Sequence, residues 1–142
     1  MEKMNIRQLK EADYTQFLKL INDFRETYFT KDQFISTLKD IQESHSEIWV
    51  IEKDNQLIST ATIIYETKFI FNICKSAHIE DVCTKKEYRN QGYGKQLINH
   101  LIHQAHENKC YKINLVCSKD VSPFYQSANF EERGIHMSQL VK

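Results

Sequence analysis

The sequence predicts an α/β fold of the mixed α+β kind: a central, mostly antiparallel sheet flanked by helices, in one domain over residues 1–142. Three observations carry that expectation. The chain has 142 residues, 41% of them hydrophobic and 27% charged, which suits one domain with its own core. β-Branched runs of strand length alternate with segments whose apolar residues recur at helical spacing. A hairpin-like pair comes early and a strand–helix–strand unit late, which gives a sheet of mixed direction.

Residues 4–9 read as the first strand. Asp13 is placed to cap a helix to about residue 23, with Phe17, Leu18, Ile21 and Phe24 on its apolar stripe. Thr30 is placed to cap a second helix, striped by Phe34, Ile35, Leu38 and Ile41. Residues 47–53 read as a strand, Asp54-Asn55 as a turn, and residues 56–71 as a long Thr- and Ile-rich strand. The pair reads as an antiparallel hairpin. Residues 77–84 add a strand. A strongly amphipathic helix then runs to about residue 108, with Leu97, Ile98, Leu101, Ile102 and Ala105 as its apolar face. Residues 112–117 (KINLVC) read as a buried strand. Residues 122–128 read as a short helix with Ser122 as N-cap and Pro123 at its first position. A strand over residues 130–133, interrupted by Gly134, and a last strand over residues 135–141 complete the order.

Lys plus Arg and Asp plus Glu each number 19, so the formal charge is zero. That balance excludes a broad polyanion-binding surface, and no nucleic-acid partner is expected. No run of about 18 apolar residues occurs, so no membrane span is expected. The opening MEKMNIRQLKEADY has no apolar segment of the secretory type. A reducing cytoplasm is therefore the expected compartment, with Cys74, Cys83, Cys110 and Cys117 as free thiols. No pair has zinc-knuckle spacing, and Cys83 and Cys117 read as small buried hydrophobes in strands. His100, His103 and His106 stand at i, i+3 and i+6, which swings the third away from the first two. They read as a polar helix face, and no metal site is expected.

Glycine is the least ordinary count. The chain has 3, against a typical usage near 7%, and two of them, Gly92 and Gly94, sit one residue apart. They lie in Arg89-Asn90-Gln91-Gly92-Tyr93-Gly94-Lys95, after a strand and at the start of a helix. The first N–H groups of a helix are unpaired, their dipole favours an anion, and glycine lets a phosphate approach the backbone. Arg89 and Lys95 add positive charge. A phosphate or pyrophosphate cradle is the functional expectation. A Walker A loop does not fit, because Gln96 follows Lys95 and no glycine stands five before Gly94. A Rossmann fingerprint does not fit either, because Leu97 stands at its third glycine.

The run R-x-x-G-x-G resembles the acetyl-coenzyme A loop of the GNAT superfamily of N-acetyltransferases, and the element order resembles that fold. Four further blocks are similar to the glucosamine-6-phosphate N-acetyltransferase family: Glu66-Thr67-Lys68-Phe69-Ile70, His78-Ile79-Glu80-Asp81-Val82, Cys110-Tyr111-Lys112-Ile113 and Phe124-Tyr125. The likeness is strongest over residues 66–130. It implies an acetyl-coenzyme A-dependent enzyme that acetylates the amine of glucosamine 6-phosphate, a step toward UDP-N-acetylglucosamine. It also implies a homodimer whose sites draw on both subunits. Val116 stands where the family usually carries Asp or Glu, Phe71-Asn72 where it has His-Glu, Ala77 where it has glycine, Val121 where Asn is common, and Asn129 where it has glycine.

The resemblance also assigns roles. Backbone groups at Val82, Cys83 and Thr84 would hold the thioester and pantetheine. Arg89, Asn90, Gln91, Gly92, Tyr93, Gly94 and Lys95 would hold the pyrophosphate, with Phe124 beside the cofactor. Tyr125 would protonate the leaving thiolate, which suits a phenol. Glu80 and Asp81 would bind the sugar and its amine. With Val116 uncharged, Glu80 is the group expected to accept the amine proton. Adjacent strand residues point to opposite faces, so both acids reach one pocket only if the strand bulges. Arg25, Thr27, Lys68 and Lys112 complete the substrate set. Two alternatives stand beside this expectation: an acetyltransferase for another amine, and a non-catalytic module that binds coenzyme A.

Overall fold

The computed structural model describes residues 3–141. Five strands form one sheet in sequential order: β1 (Met4–Gln8), β2 (Ser46–Lys53), β3 (Gln56–Lys68), β4 (Cys74–Thr84) and β5 (Lys112–Leu115). The first three pairings are antiparallel, and β4 with β5 is parallel. The helices are α1 (Tyr14–Phe24), α2 (Lys31–Glu43), α3 (Tyr93–Glu107) and α4 (Ser122–Gln126).

Local chemistry fixes most of the boundaries. Thr30 caps α2 by accepting from the Gln33 N–H, and Gln33 Oε1 accepts from the Thr30 N–H in return, the reciprocal box that satisfies two orphan donors. Asp13 sits at the start of α1 but accepts from the Lys10 N–H and from Arg7, so it secures the preceding single turn of 3-10 helix (Glu11–Asp13) instead of capping α1. Asp54 and Asn55 both take positive φ, 50° and 64°, as the two-residue hairpin turn between β2 and β3 requires.

Period-two alternation distributes the core over both sheet faces. Ile51, Ile63, Ala77 and Ile79 meet Leu97, Ile98, Leu101 and Ala105 of α3 on one side. Val50, Leu57 and Cys83 meet Leu20, Phe34 and Leu38 of α1 and α2 on the other.

Several expectations are corrected. The long third strand stops at Lys68, residues 70–72 make a 3-10 turn, and Phe71, Asn72 and Ile73 take positive φ. β4 starts three residues early, at Cys74. β5 ends at Leu115, and its Lys112 is exposed, so it is not the buried strand expected. Cys117 lies past that end and is exposed, whereas Cys83 is buried. Val121, not Ser122, is the N-cap of α4; the Ser122 hydroxyl donates back to the Lys119 carbonyl. No strand forms over residues 130–133 or 135–141. A strand exists only as a pairing, and this single chain offers that segment no edge. Its Ile135, Met137 and Leu140 are 90%, 87% and 90% exposed.

Candidate active site

The site grows from an irregularity in β4. Thr62 pairs with Glu80 and Thr60 with Cys83, so Ala61 alone faces both Asp81 and Val82. This is a β-bulge, one extra residue in β4. Asp81 absorbs it at φ 51°, a region that short polar side chains tolerate best. The bulge resets the alternation, so Glu80 and Cys83 both face away from α3 while Val82 packs on the α3 side. Glu80 and Asp81 are both exposed. The bulge that would let both acids reach one pocket is therefore present.

The parallel pairing adds an opening. β4 and β5 pair only from Ser76–Lys112 to Ile79–Leu115. From Glu80 to Thr84 the β5 side of β4 has no strand among the described residues. Main-chain groups there are available to a ligand, and an unpaired main-chain group is costly unless it meets water or a partner.

The glycine turn closes one end of this opening. Gly92 is the N-cap of α3 at φ 89°, and no side chain caps the helix. The first helical bond runs from the Gln96 N–H to the Gly92 carbonyl, so the N–H groups of Tyr93, Gly94 and Lys95 lie ahead of the ladder. Gly94 is needed for space: a Cβ there would stand 3.3 Å from Thr84 Oγ1 and 3.5 Å from the Phe124 ring. Asn90 takes φ 62°. The donors, the helix dipole and the bare backbone fit a pyrophosphate. Arg89 is not a free cation here. Its Nε donates to the Thr84 carbonyl at 2.9 Å and its Nη2 to the Asp23 carbonyl at 3.4 Å, which ties the loop to β4 and α1. Lys95 is exposed.

Tyr125 stands on α4, half-buried, edge-on to Phe124 at 4.9 Å and to Phe130 at 5.9 Å. Burial, then the neighbouring Cys117, pushes its phenol above the usual range, so it stays protonated and able to donate. Cys83 is pushed up to about 11, chiefly by burial, and its Sγ lies 3.7 Å from the Leu20 carbonyl. It contributes main chain and packing, not a thiolate.

The remaining substrate candidates divide. Lys68, Glu80 and Lys112 share the sheet face opposite α3: Lys68 pairs with Cys74, Ser76 with Lys112, and Cys74, Ser76 and Glu80 alternate along β4. Arg25 and Thr27 lie just beyond α1, where Asn22 brackets Thr27 through its main chain and the Arg25 guanidinium lies over Phe24. They do not join the face that carries Lys68 and Lys112. Sequence reasoning passed over the side chains between them. Glu66 Oε1 receives Lys68 Nζ at 3.3 Å, His78 Nε2 at 3.5 Å and Ser76 Oγ at 3.5 Å. The signal was the hairpin register, which a pattern of alternation alone does not supply.

His100 packs at 4.4 Å against Trp49 with its Nε2 buried and unpartnered, and burial holds its pKa down. His103 faces Glu107 at 3.8 Å. Among the described residues, no group of His, Cys, Asp and Glu is arranged to hold a metal ion, and no helix is long and apolar enough to cross a membrane.

Residues 7–130 match the profile of the acetyltransferase (GNAT) family. Glucosamine 6-phosphate N-acetyltransferase 1 of Dictyostelium discoideum is 31% identical over 95% of this chain and 89% of its own. The Arabidopsis thaliana glucosamine 6-phosphate N-acetyltransferase is 28% identical over 97% of each. A crystal structure of glucosamine-6-phosphate N-acetyltransferase from Arabidopsis thaliana superposes with a TM-score of 0.93 at 27% identity, covering 99% of each chain.

Proposed function

The chain belongs to the GNAT family of acetyltransferases, and from that premise we propose that it moves the acetyl group of acetyl-coenzyme A onto the amine of glucosamine 6-phosphate by direct attack in a ternary complex. The enzyme class is acetyl-coenzyme A-dependent N-acetyltransferase. The observation that carries the acceptor is the sheet face on which Glu80 stands with Lys68 and Lys112: an acid for an amine and two cations for a phosphate. The names of the similar enzymes from Dictyostelium discoideum and Arabidopsis thaliana support the same acceptor.

Acetyl-coenzyme A supplies an activated acetyl thioester. Tyr93, Gly94 and Lys95 N–H groups, with those of Gln91 and Gly92, hold its pyrophosphate, and Gly94 leaves the room beside Phe124. Val82, Cys83 and Thr84 offer main-chain groups to the pantetheine and to the thioester oxygen, which gains charge as the amine attacks. The amine arrives as an ammonium ion and attacks only as the free base. Glu80 takes that proton, directly or through water, while Asp81 holds the sugar beside it. Tyr125 gives its phenolic proton to the departing sulfur as the C–S bond breaks and the N–C bond forms. Arg25 and Thr27 complete the acceptor side from the end of α1.

We assign a homodimer. The apolar residues of the 135–141 segment and Phe69, Ile70, Phe71 and Ile73 of the β3–β4 turn are exposed, and a second copy would cover them. The assigned compartment is the reducing cytoplasm, and the assigned place is the route to UDP-N-acetylglucosamine.

A second acceptor has one observation in its favour: Val116 is uncharged and 57% exposed where the family usually has an acid. Thiol release from acetyl-coenzyme A, measured with glucosamine 6-phosphate, glucosamine, a polyamine and an N-terminal peptide, decides between them. Turnover of glucosamine 6-phosphate well above glucosamine is expected. Turnover confined to the polyamine or the peptide overturns the assignment.

A further inference from the structure

The acceptor face holds a cluster that the proposed acetyl transfer does not use. Glu66 and Ser76 are directly opposed across β3 and β4, His78 is opposite Ile64, and Lys68 lies two residues beyond Glu66. All share one face of the sheet with Glu80, and Lys112 and Asn114 of β5 continue it, paired with Ser76 and His78. A single oxygen, Glu66 Oε1, meets Lys68 Nζ, His78 Nε2 and the Ser76 hydroxyl at 3.3 to 3.5 Å. Ser76 is fully buried, so its contact anchors an otherwise exposed carboxylate. Lys112 stands across the ladder with its ammonium 5.4 Å from the Tyr111 ring.

Spacing gives the cluster a direction. His78 and Glu80 are two residues apart on one strand, about 7 Å, which is the span of one sugar ring between an amine and a phosphate on opposite ends. A carboxylate in front of an anion site has an electrostatic cost unless it also does something for the cations. Glu66 bonds two of them at one oxygen and so removes rotamer freedom that lysine otherwise keeps.

We propose that Glu66 is a positioning residue: it gathers Lys68 and His78 into one preset cationic cluster, one ring-length from Glu80, for the anionic group of the acceptor. The proposal rests on the amino-sugar phosphate assignment and deepens it. Glu66 touches neither the amine nor the thioester, so its effect belongs to acceptor binding and not to the chemical step. The alternative, a carboxylate that merely competes with the phosphate, has the opposite sign.

The test is Glu66→Gln, which keeps shape and removes charge. Glu66 is exposed, and surface changes of this kind leave stability within about 0.5 kcal/mol. The KM for glucosamine 6-phosphate is expected to rise about tenfold, the scale of a charge-assisted hydrogen-bond network. The kcat and the KM for acetyl-coenzyme A stay within about twofold. The kcat/KM for glucosamine stays level. Lys68→Ala costs much less in the Glu66→Gln background than alone, because the two act as a unit. A KM that is unchanged or lower in Glu66→Gln, or additive effects of the pair, overturns the proposal. A second readout does not need turnover: inorganic phosphate titrated against the His78 ring proton resonances of the full chain. A saturable shift in the wild type that is lost in Glu66→Gln supports the cluster, and an equal shift in both overturns it. If the wild type does not acetylate glucosamine 6-phosphate, the acceptor assignment fails by itself, and the phosphate titration still decides the role of Glu66.

Discussion

Asp81 holds a left-handed φ in the middle of a strand, and that one residue turns β4 from a plain ladder into a site. Its carboxylate and that of Glu80 are consecutive, yet the extra residue at the bulge re-aims the rest of the strand, so that Glu80 faces the cations and Val82 faces α3. The proton inventory then divides between two groups. Glu80→Gln is expected to lower kcat by about a hundredfold or more, the usual worth of a positioned acid or base, with the KM for acetyl-coenzyme A nearly unchanged; full turnover in this variant removes its role. Tyr125→Phe is expected to cost a similar factor in kcat. The Tyr125 phenol is raised above its ordinary value by burial and by Cys117. It therefore keeps its proton to higher pH, and its donation is lost only as pH rises through that raised value. The alkaline limb of a kcat–pH profile should lie above the ordinary phenol range near 10, and it should vanish in Tyr125→Phe.

At the scale of elements, the β4–α3 connection carries the donor site. Gly92 supplies a φ that side chains resist, and Gly94 supplies space against Thr84 and Phe124. The two glycines thus answer different demands. Gly94→Ala places a methyl 3.3 Å from Thr84 Oγ1; the KM for acetyl-coenzyme A is expected to rise about tenfold or more, while the melting temperature changes little. Calorimetric binding of coenzyme A as tight as in the wild type would show that the loop tolerates a Cβ. The β1–α1 connection is held by a different device. Arg7 spans Asp13, at 2.8 and 2.9 Å, and Glu52, at 3.2 Å. Burial alone would raise the Asp13 pKa, but Arg7 and the Lys10 N–H outweigh it and hold it below the usual carboxylate value. The folded form thus binds its proton less tightly than the unfolded form. The stabilisation is complete above about pH 4 and is lost as pH falls through the lowered folded value. Asp13→Asn should melt lower than the wild type at pH 7, and the gap should narrow at pH 3.

At the scale of the whole molecule, two apolar surfaces stand uncovered. Phe69 and Phe71 project from the β3–β4 turn, and Ile135, Met137 and Leu140 lie along the last segment. Removal of residues 135–141 is expected to convert the dimer to a monomer in sedimentation experiments and to weaken the acceptor KM more than the acetyl-coenzyme A KM. A truncated chain that stays dimeric would locate the interface elsewhere. Strands at 135–141 are thus a matter of partner, because alternation in a sequence declares that a segment can pair but not that an edge is within reach.

The sequence by itself determined the sheet, the hairpin at Asp54-Asn55, the α2 cap at Thr30 and the pyrophosphate turn at Gly92 and Gly94. Each is a local property: a side-chain period, a reciprocal hydrogen bond, a backbone angle. Only the tertiary structure decided that Asp81 sits in a bulge, that Arg89 is spent on Thr84 and Asp23, that Cys117 is exposed while Cys83 is buried, and that Glu66 gathers Lys68 and His78. Those facts depend on register and on the ends of strands. Register is set by the sum of many cross-strand contacts, so no single window of sequence contains it. The glycine pair therefore identified the donor side from local chemistry, whereas the acceptor side emerged only when β3, β4 and β5 were laid edge to edge.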